Sequence, residues 1–185
     1  MKIKLMIKEL DYILIKGAYI LKKKIFITCS LIFIIIFLLV IKTLIFYNKS
    51  LNYYLSNNLT TISAQCEYID LNFPSDKNIE RSKLESIFMA FQDVIKNYGD
   101  LSEIAYRADD EISLSYLSTL QSKFNSILND KENIYLSEEE INTLNEIHEF
   151  CNNSKLQIDE YTKKYDNLVF RNRWISLVKQ ITKKN

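Results

Sequence analysis

Ile25-Phe26-Ile27-Thr28-Cys29-Ser30-Leu31-Ile32-Phe33-Ile34-Ile35-Ile36-Phe37-Leu38-Leu39-Val40-Ile41 carries no charge, and it decides how the rest of the chain is read. Thr43 to Phe46 extend the apolar run beyond Lys42, whose aliphatic stem lets its ammonium reach the interface. Tyr47 then supplies an aromatic of the kind found at membrane boundaries. At ~1.5 Å per helical residue, positions 25–46 reach roughly 33 Å, enough for a hydrocarbon core of ~30 Å. A run this long and apolar all round points to a transmembrane helix rather than the buried core helix of a soluble protein. It is longer than the ~7–15 residues of a signal-peptide apolar region, and no Ala-x-Ala-like site follows it. The reading is an uncleaved signal anchor.

Charge gives the anchor a direction. Lys2, Lys4, Lys8, Lys16, Lys22, Lys23 and Lys24 precede the span, whereas Lys49 is the one lysine in the twenty residues that follow Tyr47. The positive-inside rule then predicts a cytoplasmic N-terminus and an extracytoplasmic C-terminal domain. No second apolar span follows, so a single-pass protein of the cell membrane is expected. The domains read as a cytoplasmic basic amphipathic segment (1–24), the transmembrane helix (25–46) and an extracytoplasmic domain (47–185). In the first segment Ile3, Met6, Ile7, Leu10, Leu14 and Leu21 recur at helical spacing. It suits either a helix lying on the inner leaflet or a solvated tail that sets topology.

Composition narrows the fold of the remainder. Two glycines and one proline in 185 residues leave too few turn residues for a β-sandwich, a doubly wound α/β fold or a Gly-rich nucleotide loop. Apolar residues at 48% and aromatics at 12% argue against disorder. The fold class is therefore all-α: one N-terminal transmembrane helix followed by an antiparallel bundle of about four helices, the last one long. The spacing predicts a first helix over about 48–70, with Leu51, Leu55, Ile62, Cys66 and Ile69 on one face, ended by Phe73-Pro74-Ser75-Asp76. A second, about 77–98, presents Leu84, Phe88, Phe91, Ile95 and Tyr98. Gly99 sits where a C-terminal glycine belongs and Asp100 where the next helix would be capped, which predicts a tight hairpin there. A third helix, about 101–129, presents Ile104, Ala108, Ile112, Leu117, Leu120, Phe124 and Ile127.

Ser137-Glu138-Glu139-Glu140 reads as a capping box, with Leu136 and Ile141 as its hydrophobic staple. It opens a long last helix whose seam alternates three and four through Leu144, Ile147, Cys151, Ser154, Ile158, Tyr161, Tyr165, Leu168, Asn172 and Ile175. In an up-down-up-down bundle the first and last helices are neighbours. Counting ~1.5 Å per residue brings Cys66 and Cys151 to levels about 5–7 Å apart. They form a candidate disulfide pair if the domain lies in an oxidising compartment. Two buried free thiols are the alternative.

Few residues suggest a reaction. His148 and Cys151 stand at i, i+3 spacing, but His148 is the single histidine, so a structural role outweighs a zinc site. No Glu-x-x-His pair, phosphate loop, nucleophile elbow or His-Glu-x-x-His occurs, and Asp109-Asp110-Glu111 lacks the spacing of a calcium loop. No enzyme, metal or cofactor is expected. The tail is the remaining candidate. Lys163, Lys164, Arg171, Arg173, Lys179, Lys183 and Lys184 face Asp166 alone, while Phe170, Trp174, Leu177, Val178 and Ile181 share a side. A nucleic-acid partner fails on location. Contact with anionic lipid or an acidic polymer through this basic set and Trp174 is one reading. Packing of the apolar side on the bundle, with the charges solvated, is the other.

A short head, one anchor and an outer bundle resemble the plan of LemA-type membrane proteins. The stretches that mark that family after its anchor do not occur here, where Tyr165-Asp166-Asn167-Leu168-Val169 is a distant echo, and no residue role is carried over. Two functions follow from the sequence. One is a non-catalytic, membrane-anchored scaffold or accessory subunit at the outer face of the cytoplasmic membrane. The other is a sensor or regulatory input module coupling the bundle to a partner. Expected partners are the lipid bilayer and another protein, with a homo-oligomer as a further option.

Overall fold

The computed structural model describes residues 2–74, 78–107, 112–129, 134–165 and 173–183. Helices account for nearly all of them: α1 (Lys2–Asn72), α2 (Arg81–Arg107), α3 (Ser115–Asn129), α4 (Glu138–Lys164) and α5 (Arg173–Thr182). Among the described residues the extended pieces are β1 (Asn78–Ile79) and β2 (Ile134–Tyr135), paired antiparallel with Asn78 opposite Tyr135 and Ile79 opposite Ile134. The chain divides into two units, Met1–Lys49 and Ser50–Asn185.

The first unit is helix throughout its described residues and buries no large side chain from Lys16 to Tyr47. Phe26 is 73% exposed and Phe33 71%, and the isoleucines between them are exposed as well. By length and composition this helix can cross a membrane, and none of its most apolar stretch is covered by protein. Its two threonine hydroxyls follow the same logic. Thr28 Oγ1 donates to the Lys24 carbonyl at 3.0 Å and Thr43 Oγ1 to the Leu39 carbonyl at 2.9 Å, so neither needs water.

The second unit holds the core. From α1 it takes Leu55, Leu59, Ile62, Cys66 and Ile69, all fully buried. From α2 it takes Leu84, Ile87, Phe91, Val94, Tyr98, Leu101 and Ala105, a strict three-four alternation that runs through Gly99. That alternation corrects the expected hairpin: Gly99 lies inside α2, and the helix continues to Arg107. A glycine in a helix interior costs only ~1 kcal/mol relative to alanine, and burying Leu101 with Ala105 beyond it outweighs that. The buried stripe also shifts from the expected one, since Ile87 and Val94 are buried while Phe88 and Ile95 are half-buried. Ile112 is buried in the connection that follows, and Leu117, Leu120, Phe124 and Ile127 form the inner side of α3. Phe124 meets Phe88 edge-on, with ring centroids 5.1 Å apart. Ala108 lies outside the described residues.

The start of α4 has the expected chemistry. Ser137 accepts from the Glu140 backbone N–H through its hydroxyl (3.3 Å), while the Ser137 N–H donates to the Glu140 carboxylate (2.6 Å). Leu136 is buried and Ile141 packs on the core. The helix ends earlier than its seam suggests. Tyr165 adopts an extended conformation as its C-cap, and Ile175 belongs to the separate α5. Leu168 and Asn172 lie outside the described residues.

Candidate functional site

Residues from α1 and α4 meet in a series of side-chain contacts. Ser63 Oγ donates to an Asp159 carboxylate oxygen at 2.7 Å, and Lys155 pairs with Glu67 at 3.3 Å. His148 Nε2 lies 2.7 Å from Asp70, and the imidazole stacks on Phe73 with ring centroids 4.1 Å apart. The Asn152 amide adds a contact to the same ring nitrogen at 3.2 Å. The His148 hydrogen bond and charge hold the Asp70 carboxyl below the usual carboxylate range, with help from Asn152 and Lys155. These groups lie at the surface of the unit, exposed or half-buried.

Beneath them lie the two cysteines. Cys66 and Cys151 are free thiols with no exposed surface, and they are neighbours in the core. The neighbouring Cys66 thiol, and burial after it, push the Cys151 thiol well above its ordinary value. Tyr98 and Ser154, also fully buried, bring two hydroxyls beside them that reach no partner in good hydrogen-bonding geometry among the described residues. Burial raises the Tyr98 phenol well above its usual range, and the nearby Ser154 hydroxyl holds it back in part. Cys29 is exposed in the first unit. No group of three or more His, Cys, Asp or Glu side chains is placed to hold a metal ion among the described residues. His148 instead engages Asp70, Asn152 and Phe73.

The basic tail is split by its own packing. Trp174 is only 2% exposed, and Ile175, Leu177, Val178 and Ile181 are buried with it in the core of the second unit. The apolar side of α5 is thus turned inward, and Trp174 is not presented to a lipid or polyanion surface in the folded unit. The physical reason is the match between α5's one-sided apolar face and the core it closes. Lys163, Lys164, Arg173, Lys179 and Lys183 remain at the exposed surface. Arg173 hydrogen-bonds the Tyr165 hydroxyl and lies 5.2 Å from that ring's centroid, and the Lys164 ammonium lies 5.9 Å from it. Arg171 and Lys184 lie outside the described residues.

Two open clefts flank this helix. One, of about 220 Å³, is lined by Gln157, Glu160, Tyr161, Lys164, Tyr165, Leu177 and Gln180. The other, of about 240 Å³, includes Tyr116, Glu146, Glu149, Phe150 and Lys183. Glu146 and Glu149, after burial, raise the Tyr116 phenol.

No protein-family model matches the chain, and comparison with curated proteins and with solved structures finds no match. Function is therefore argued from the residues. The α1–α4 ties were not anticipated from sequence. Their one signal is spacing: Ser63, Glu67 and Asp70 flank the Cys66 seam as His148, Lys155 and Asp159 flank that of Cys151.

Proposed function

We propose that the chain is a membrane-anchored, non-catalytic helical-bundle protein acting as a scaffold or accessory subunit at the outer face of the cytoplasmic membrane. The observation that carries this reading is the exposure of every large apolar side chain from Lys16 to Tyr47. So continuous an apolar surface is tolerated in a bilayer and not in water. The lysines before the span favour a cytoplasmic N-terminus. The α1–α4 contacts support an antiparallel bundle, because partners of rising number in α1 have falling number in α4: Ser63 with Asp159, Glu67 with Lys155, Asp70 with His148.

Protease added to right-side-out vesicles carrying the full chain tests the topology. Digestion beyond Lys49 with the N-terminal segment protected is expected, and the opposite pattern reverses the orientation. The sensor reading has one observation in its favour. The helix that carries the apolar stretch also supplies Leu55 to Ile69 to the core of the second unit. Crosslinking in the membrane separates the two: an envelope protein as partner supports the scaffold, and a kinase or transcription factor supports the sensor.

A further inference from the structure

Anchoring makes no use of the thiol pair. Cys66 and Cys151 meet in the core, and in each helix the cysteine is bracketed by residues that tie α1 to α4. Ser63 and Asp70 lie on either side of Cys66, and their partners Asp159 and His148 lie on either side of Cys151. Helices held together above and below two neighbouring thiols leave little room for those sulfurs to part. The Tyr98 and Ser154 hydroxyls make the pocket more polar than its surroundings without completing a hydrogen-bond network.

We propose that Cys66 and Cys151 are an oxidation site, closed outside the cytoplasm into an intramolecular disulfide that joins α1 to α4. The proposal rests on the extracytoplasmic location argued above. The oxidant is a protein disulfide of the thiol-oxidase class, which such compartments contain. One cysteine thiolate attacks a sulfur of that disulfide, forming a mixed disulfide and releasing one oxidant thiol. The second cysteine thiolate attacks the chain's own sulfur in the mixed disulfide and releases the other oxidant thiol. Two S–H bonds of the chain become one S–S bond, and the oxidant takes up two electrons and two protons as a dithiol. Both cysteines are sealed in the folded unit, and burial disfavours the attacking thiolate. The exchange therefore belongs to folding, before α1 and α4 close over the pair.

The experiment uses the full chain in its membrane. Cells are lysed in denaturant with N-ethylmaleimide to block free thiols, the chain is reduced, and newly released thiols are counted with a polyethylene-glycol maleimide. Vesicles from the same cells report protease access to the tail. The expected result is a reduction-dependent doubly labelled chain, unchanged in Cys29→Ser and unlabelled in Cys66→Ser or Cys151→Ser. The count is made on denatured chains, so it does not depend on the variants folding. An accessible tail with no label after reduction overturns the disulfide and leaves the topology standing. Label that survives in Cys66→Ser also overturns it, because the pairing is then different. A protected tail overturns the location instead. The purified chain, refolded in a glutathione–glutathione disulfide buffer, then decides the pair: a Cys66–Cys151 bond supports it, and its absence overturns it.

Discussion

Phenylalanine serves two opposite purposes in this chain. Phe26 and Phe33 of the first unit are more than 70% exposed, whereas Phe91 and Phe124 of the second have no exposed surface. The side chains are the same, and the difference lies in their arrangement. Positions 25–41 are apolar on every side of the helix, so no single protein surface could cover them. In α2 and α3 most of the large apolar residues keep to one side, which other helices cover. An all-round pattern calls for a surrounding solvent of its own kind, and a one-sided pattern calls for a neighbour.

The contrast can be broken by changing either pattern. The largest effect is expected in the first unit. Ile35→Lys places a charge at the centre of the span, at a cost of ~2.5–3.5 kcal/mol on the insertion scale. The membrane-bound fraction should fall in fractionation, and it should fall further with a second charge at Phe33. An unchanged fraction would mean that this helix is not the anchor.

In the second unit, Phe91→Ala should cost about 3–5 kcal/mol as a buried large-to-small change, read by denaturant unfolding of the full chain in detergent. Phe33→Ala in the same assay should leave that transition in place, because Phe33 contributes nothing to the core. Equal effects at the two positions would erase the distinction.

Ser137→Ala removes the hydroxyl of the capping box and should cost ~1 kcal/mol, visible as a modest loss in the same unfolding transition. Gly99→Ala is expected to act in the opposite direction. Open space surrounds Gly99 and α2 continues through it, so alanine should stabilise by ~0.5–1 kcal/mol. A helix-terminating left-handed glycine at this position would give a loss instead, which makes the sign of the change informative.

The smallest expected effect is acid sensitivity at the Asp70–His148 contact. Asp70 is held below 3.8, chiefly by its hydrogen bond to His148. A carboxyl depressed in the folded state contributes stability above its unfolded value and loses it as pH falls through the folded one. Stability from this group should be complete above about pH 4 and fade below it. Asp70→Asn should flatten that part of the stability–pH curve, and an unaltered curve would remove the contact as a contributor.

Local chemistry was the most legible part of the chain. The box at Ser137 depends on residues three apart, and the helix long and apolar enough to span a membrane depends on one uninterrupted run, so each could be read without knowledge of neighbours. The end of α2 was harder. Gly99 and Asp100 carry a stop signal worth about 1 kcal/mol, while the continuation depends on what Leu101 and Ala105 touch. One sign was present in the sequence: the expected third-helix seam steps by five from Ile112 to Leu117, and the break falls in that region. The tail shows the same division. Its one-sided apolar face was visible, but a lipid surface and a protein core ask for the same pattern.

By itself, the sequence determined the helical class, the charge-free span and the capped start of α4, because composition, length and short-range hydrogen bonding act within a few turns. Tertiary structure alone decided that α2 runs through Gly99 and that Trp174 is covered. Each of those depends on which distant face is opposite. Burial there outweighs the weaker local preference.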